Sequence, residues 1–277
     1  MWDRAAASTL RASSLTNFIK EGTIMNKTSA ESGIRSRMEA RRVATFAAIA
    51  LGLVNLGATI YGIAVGAPIV NNIDPGRDLA KVTANTLLMS GQGTLRALAG
   101  LSLILLALAL AEWLQAAAPF AMRVGTVAAV ISGALLIVGN VGTLGIYDEL
   151  AQINGKDHAA ALAAFAALTV VSVLLSTALH VMLGVFVLVS AGVAARSRVI
   201  SRPLFYVGVV FGIALIGAHV TGITPLSSPM NFLTPNFVMG VVMGPLLIVW
   251  PIWLGVELLR SRPTSVAAVG VTTPASA

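Results

Sequence analysis

Residues 169–202 read TVVSVLLSTALHVMLGVFVLVSAGVAARSRVISR, a long apolar run that closes on three arginines. Within it Thr169, Ser172, Ser176 and His180 fall three, four and four residues apart, and Gly184 continues the row. Side chains at those separations share one face of an α-helix, so the stretch predicts an oily helix with a polar seam. Arg196, Arg198 and Arg202 then mark where the chain returns to water.

The rest of the chain has the same character. Of 277 residues, 57% are hydrophobic and only 10% are charged. Soluble domains carry about a quarter of their residues as Asp, Glu, Lys or Arg, so this surface is built for lipid. The net charge of +7 does not point to nucleic acid. Its basic residues lie between apolar spans, where they act as a topology signal facing anionic headgroups. With no cysteine there is no disulfide, no thiolate nucleophile and no Cys-ligated metal. The 26 glycines suit close helix packing in a bilayer.

The expected fold class is all-α: a polytopic membrane protein with six transmembrane helices and both termini cytoplasmic. Residues 1–42 read as a disordered cytoplasmic tail with a short helix near Arg35 to Arg42, residues 43–260 as the membrane domain, and residues 261–277 as a second disordered tail. The tail has no apolar stretch of secretory-signal type, and Met25 offers an alternative start. The spans run over about 43–65, 95–113, 124–146, 169–194, from Pro203 onward, and 237–259. The apolar run before Thr169 is too long for one perpendicular crossing and reads as an interfacial or tilted piece. Pro245 and Pro251 predict a kink in the last span.

Lys and Arg number fourteen in one set of alternate loops and four in the other, which puts both termini inside. Among the external segments, 71–93 reads as a loop with a short helix beginning near Asp78, and 148–158 as a short acidic loop. Residues 224–236, with Pro225, Pro229 and Pro235, read as a stiff loop. Gly62–Gly66, Gly208–Gly212 and Gly240–Gly244 fit the small-xxx-small pattern. They read chiefly as intramolecular packing faces, and secondarily as contacts for a membrane-protein partner or a homo-oligomer.

The candidate site gathers the polar side chains of the spans. Asn140 and His219 each lie seventeen residues past the arginine that opens their span, and His180 sixteen residues before Arg196. At about 1.5 Å per residue these depths agree within a few ångströms, and Tyr61 comes out close to them. The pocket candidates are therefore His180, Ser176, Ser172, Thr169, Asn140, His219 and Tyr61. Against this stands a plain structural role for His180, a neutral imidazole bonded one turn away at Ser176. Asn55, Asn140 and His219 also sit in short similar sequences of the odd spans, a likeness that Ala/Gly/Val-rich helices readily produce. Two histidines are a thin basis for a b-type haem, and zinc would need a third ligand, so no metal or cofactor is expected. Glu112 and Glu257 read as snorkelling carboxylates at span ends, the latter beside Arg260. Nothing in the chain has the spacing of a nucleotide loop, a metalloprotease helix or a hydrolase elbow, so an enzyme has no sequence support.

His180 in its apolar span, then Arg196-Ser-Arg-Val-Ile-Ser-Arg-Pro-Leu204 and the Gly208-bearing span, resemble uncharacterised bacterial six-span integral membrane proteins of the domain-of-unknown-function type. Trp250-Pro-Ile-Trp-Leu-Gly255 resembles their last helix. Ser201 stands where that type usually carries a proline, with Pro203 two positions later. The resemblance implies the architecture and a bacterial inner membrane, and it implies no catalytic residue. The leading expectation is a non-enzymatic protein that binds or moves a small solute, lipid group or proton through an outward-facing polar pocket. An accessory subunit of a membrane complex is the alternative, and a haem-bearing electron carrier a distant one.

Overall fold

A computed structural model describes residues 3–64, 74–141, 143–221 and 242–261, with side chains of 3–32, 34, 143–144 and 220–221 left out. All of the described secondary structure is helical. The helices are α1 (Asp3–Ala64), α2 (Pro75–Ala84), α3 (Thr86–Leu114), α4 (Pro119–Val141), α5 (Thr143–Lys156), α6 (His158–Arg196), α7 (Arg202–Thr221) and α8 (Gly244–Arg260). The stretches Arg35–Ala64, Thr86–Leu114, Pro119–Lys156, His158–Arg196 and Arg202–His219 are each long and apolar enough to cross a bilayer. The chain thus has the build of a multi-pass helical membrane protein.

Several boundaries differ from the sequence expectation. The leading segment, read as a disordered tail, continues helix α1 back to Asp3. Up to Arg42 it holds only Gly22 and Gly33, and no proline occurs between Asp3 and Ala64, so no strong breaker separates it from the span. The expected acidic loop at 148–158 is mostly helix α5. The short helix α2 starts before Asp78: Asp74 is its cap, accepting from the Arg77 backbone N–H at 3.0 Å, with Pro75 at the first position. Helix α6 is one uninterrupted rod of 39 residues. Its length of about 58 Å exceeds a hydrocarbon core of about 30 Å, so part of it stands outside the core. Asp157 caps it, accepting from the Ala160 N–H. The stretch 224–236 lies outside the described residues, as does the tail from 262 onward.

The six long helices follow one another around a ring. Helix α1 packs on α3, α3 on α4, α4 on α6, α6 on α7, and α8 returns to α1. Leu103, Leu106, Leu110, Phe186, Leu204, Phe211, Trp250 and Leu258 fill the middle. Exposed Leu98, Leu101, Leu105 and Leu108 form the opposite face of α3, the side meant for lipid tails. A second, smaller cluster sits at one end, where Leu79 and Val82 of α2 meet Leu150 of α5 and Ala161 and Phe165 of α6. It makes a helical cap over that end of the ring.

Reciprocal close approaches join three of the helix pairs. A Cβ at Gly100 would lie 2.7 Å from the Gly133 carbonyl oxygen, and one at Gly133 2.8 Å from that of Gly100. The same exchange links Gly184 and Gly212, at 2.8 and 3.0 Å. Between α1 and α8, Gly52 sits 2.8 Å from the Ile248 carbonyl and Gly255 3.1 Å from that of Thr45 by the same measure. No side chain fits these crossings, so glycine is what allows the backbones to touch. Gly208 likewise packs within α7's own surroundings, against Trp250 and Ala191, as an intramolecular face.

At the arginine-rich end the turns are fixed by specific bonds. Helix α6 closes with Val199 N–H donating to Ala194 and Arg198 N–H to Ala195, and Arg198 takes φ 55°. That is a Schellman closure with arginine at the left-handed position, where glycine is usual. Glu257 of α8 accepts from the Ser201 N–H, from Ser201 Oγ, and from Trp253 Nε1 at 2.9 Å. The carboxylate thus sits at the start of α7, where the helix dipole favours a negative charge. Its expected partner, Arg260, is replaced by these three donors. Arg41 of α1 donates to the Ser261 carbonyl at the end of α8.

Candidate functional site

The polar side chains of the spans take their places from the glycine crossings. On α6, His180 lies four residues before Gly184; on α7, His219 lies seven after Gly212. Because the two helices run antiparallel, both displacements lead to the same side of the crossing. There the imidazoles stack, with centroids 4.3 Å apart and planes inclined by 10°.

Each ring is fixed by its own helix. His180 Nδ1 lies 2.7 Å from the Ser176 carbonyl oxygen, and His219 Nδ1 2.9 Å from that of Leu215. A carbonyl only accepts, so Nδ1 carries the proton in both rings and each neutral Nε2 keeps a lone pair. Ser176 Oγ approaches His180 Nδ1 at 3.2 Å, as its one-turn spacing predicts. Farther along the seam, Thr169 turns its hydroxyl back to the Phe165 carbonyl, and Ser172 is exposed. A cavity of about 160 Å³ lined by Pro75, Phe165, Ala166 and Thr169 marks the head of the seam beneath the cap. A larger opening of about 480 Å³ lies at the other end of the molecule, between Arg198, Ser201, Glu257 and Arg260, far from the histidines in sequence depth.

The α3–α4 crossing repeats the register. Arg96 lies four residues before Gly100, and Asn140 seven after Gly133. These are the positions that His180 and His219 hold on α6 and α7. Asn140 donates from Nδ2 to the Leu136 carbonyl at 2.7 Å. At the third crossing Asn55 donates from Nδ2 to the Leu247 carbonyl at 3.3 Å. That acceptor is free because Pro251, four residues on, has no N–H to give it. Asn140 and His219 thus hold equivalent positions, seven residues past Gly133 and Gly212, whereas Asn55 stands three past Gly52 and bonds across to another helix. Tyr61 packs over Gly91 at the α1–α3 interface.

Sequence reasoning missed Arg96 as a site residue, placing it at the very start of the second span and counting it with the basic residues of the external side. Helix α3 begins ten residues earlier, at Thr86, and carries Arg96 inside the helix. From Arg96 to Glu112 is sixteen residues, the same as from His180 to Arg196. Arg96 shares the inward stripe of α3 with Gly100, Leu103 and Ala107, opposite the lipid-side leucines. Its side chain is exposed, although the face of α3 that carries it is otherwise buried at Gly100, Leu103 and Ala107. Tyr147 of α5 and His180 lie within its electrostatic reach. The signal that could have found it was depth counted from the basic end, as used for the other three.

The stack differs from the arrangement that the haem alternative would need. Axial ligands hold a haem iron from opposite sides with the macrocycle between them. The two rings lie face to face at 4.3 Å instead. Nearly parallel ring planes also keep the two Nε2 lone pairs from converging on a single ion.

The fold and this layer define the class: a multi-pass helical membrane protein with a polar level inside its bundle. Comparison with family models, curated proteins and solved structures finds no match for the chain. What the layer does must follow from its own chemistry.

Proposed function

We propose that the chain is a six-span protein of the bacterial inner membrane, of the uncharacterised type its basic turn resembles, with both termini inside. Its role in this reading is to bind or move a small solute at the polar layer, reached from the outer side. One observation carries the reading: Arg96 and His180 stand four residues before, and Asn140 and His219 seven residues after, the glycines at which their helix pairs cross. Ionisable groups inside spans are costly there and mark ligand or ion pathways. Two imidazole Nε2 atoms without a partner among the described residues leave the layer able to accept hydrogen bonds. The fourteen-to-four division of basic residues supports the orientation, and α8 with the residues before it would supply the sixth crossing.

Single cysteines test access. With no native cysteine, residues replaced at 172 and 176 should react with small hydrophilic reagents from outside, whereas those at 174 and 178 should not. Unreactive cysteines at both seam positions would make His180 a buried structural residue and end the reading.

A further inference from the structure

The layer holds a cation and no acid. Of the chain's carboxylates, Glu112 and Glu257 lie at the basic end of the bundle, Asp74, Asp78, Asp148, Glu149 and Asp157 at the capped end, and the others before the first apolar span. Asp78 pairs with Lys81 at 3.5 Å. Arg96 makes neither an ion pair nor a hydrogen bond with any described residue. A guanidinium cannot shed its charge, and within a span a charge without a partner is expensive. Its neighbours offer no compensation: His180 contributes a neutral ring and Tyr147 a phenol.

We infer that the small solute of the polar layer is an oxyanion, a carboxylate or phosphate group gripped by Arg96 and reached beneath the α2–α5 cap. The inference rests on the outward-facing site proposed above and adds the chemical class of its ligand. A planar guanidinium presents paired N–H donors that match two oxygens of such a group, which favours it over a spherical halide. Tyr147 of α5 and His180 of α6, both within its electrostatic reach, could add a hydroxyl donor and an imidazole to the grip. The basic end carries its own arginines, but they face headgroups and water; Arg96 is the cation set on the packed face of a span.

The test uses the full chain in lipid nanodiscs at constant ionic strength. Acetate, inorganic phosphate, chloride and dihexanoyl phosphatidylglycerol are titrated separately while thermal stability is read. Acetate or phosphate should stabilise saturably, chloride weakly, and the response should weaken at least tenfold in Arg96→Gln. Arg123→Gln, at the basic end, should respond as the parent does. A saturable response to phosphatidylglycerol alone would assign the grip to a lipid headgroup and overturn the free-solute form. An equal oxyanion response in parent and Arg96→Gln, or none in the parent, overturns the inference. Should Arg96→Gln fail to fold, protection of a cysteine at 176 in the Arg96-bearing chain serves instead: acetate or phosphate should slow its labelling, and unchanged labelling overturns the inference. Reactive seam cysteines with no oxyanion effect remove the ligand class and leave the outward-facing site standing; unreactive ones remove both.

Discussion

His180 and His219 each donate a hydrogen bond from Nδ1–H to a carbonyl four residues back on their own helix, so their tautomers are set before the helices meet. Tertiary packing then adds the stack. If the flat contact is what matters to stability, His219→Phe keeps it and His219→Ala loses it. Phenylalanine should leave the unfolding midpoint near the parent value, while alanine should cost about 1–3 kcal/mol, measured by thermal unfolding in detergent. Equal losses would show that the imidazole nitrogen, not the ring face, holds the pair. At the other end, Glu257 gathers three donors from Ser201 and Trp253. Replacing it with leucine strands a backbone N–H and an indole N–H. Glu257→Leu should destabilise by about 2–3 kcal/mol, and Glu257→Gln, which still accepts, by clearly less.

Helix pairs here are joined by backbone, and that gives their glycines unequal weight. A Cβ at Gly184 would meet Ile216 at 2.7 Å and the Gly212 carbonyl at 2.8 Å, whereas one at Gly192 would meet nothing within 4 Å. Gly184→Ala should therefore cost about 1–3 kcal/mol through overpacking. Gly192→Ala on the same helix should be neutral or stabilising by up to about 1 kcal/mol, since alanine is the better helix former. Thermal unfolding of the two variants side by side decides this, and equal effects would refute the crossing as a fixed contact. Displacing the α6–α7 crossing would also shift His180 against His219, because both are counted from it.

For the whole molecule, the cap of α2 and α5 and the arginine-rich turns occupy opposite ends. Gly155→Cys, exposed at the end of α5, should label with an impermeant maleimide in intact cells. Ala116→Cys, exposed in the α3–α4 turn, should label only once the membrane is opened. The reverse pattern would invert the orientation.

Sequence alone determined that the chain is a helical membrane protein, where most of its long helices lie, and that Ser176 lies one turn from His180. These follow from composition and from helical period, which act within a few residues. It misplaced what depends on the ends of elements: α5 was taken for a loop because its acidic residues lower hydropathy, and Arg96 was put at the outer tip of its span because a charge ends an apolar window, although α3 begins at Thr86. Neither charge decides helicity, since the backbone bonds of α3 and α5 form regardless of side-chain polarity. Only the tertiary structure brought His180 onto His219, gave the Leu247 carbonyl to Asn55, and set Glu257 on Ser201. Those contacts join residues far apart in the chain, and their geometry comes from where helices can approach, which the glycine crossings fix and no local period encodes.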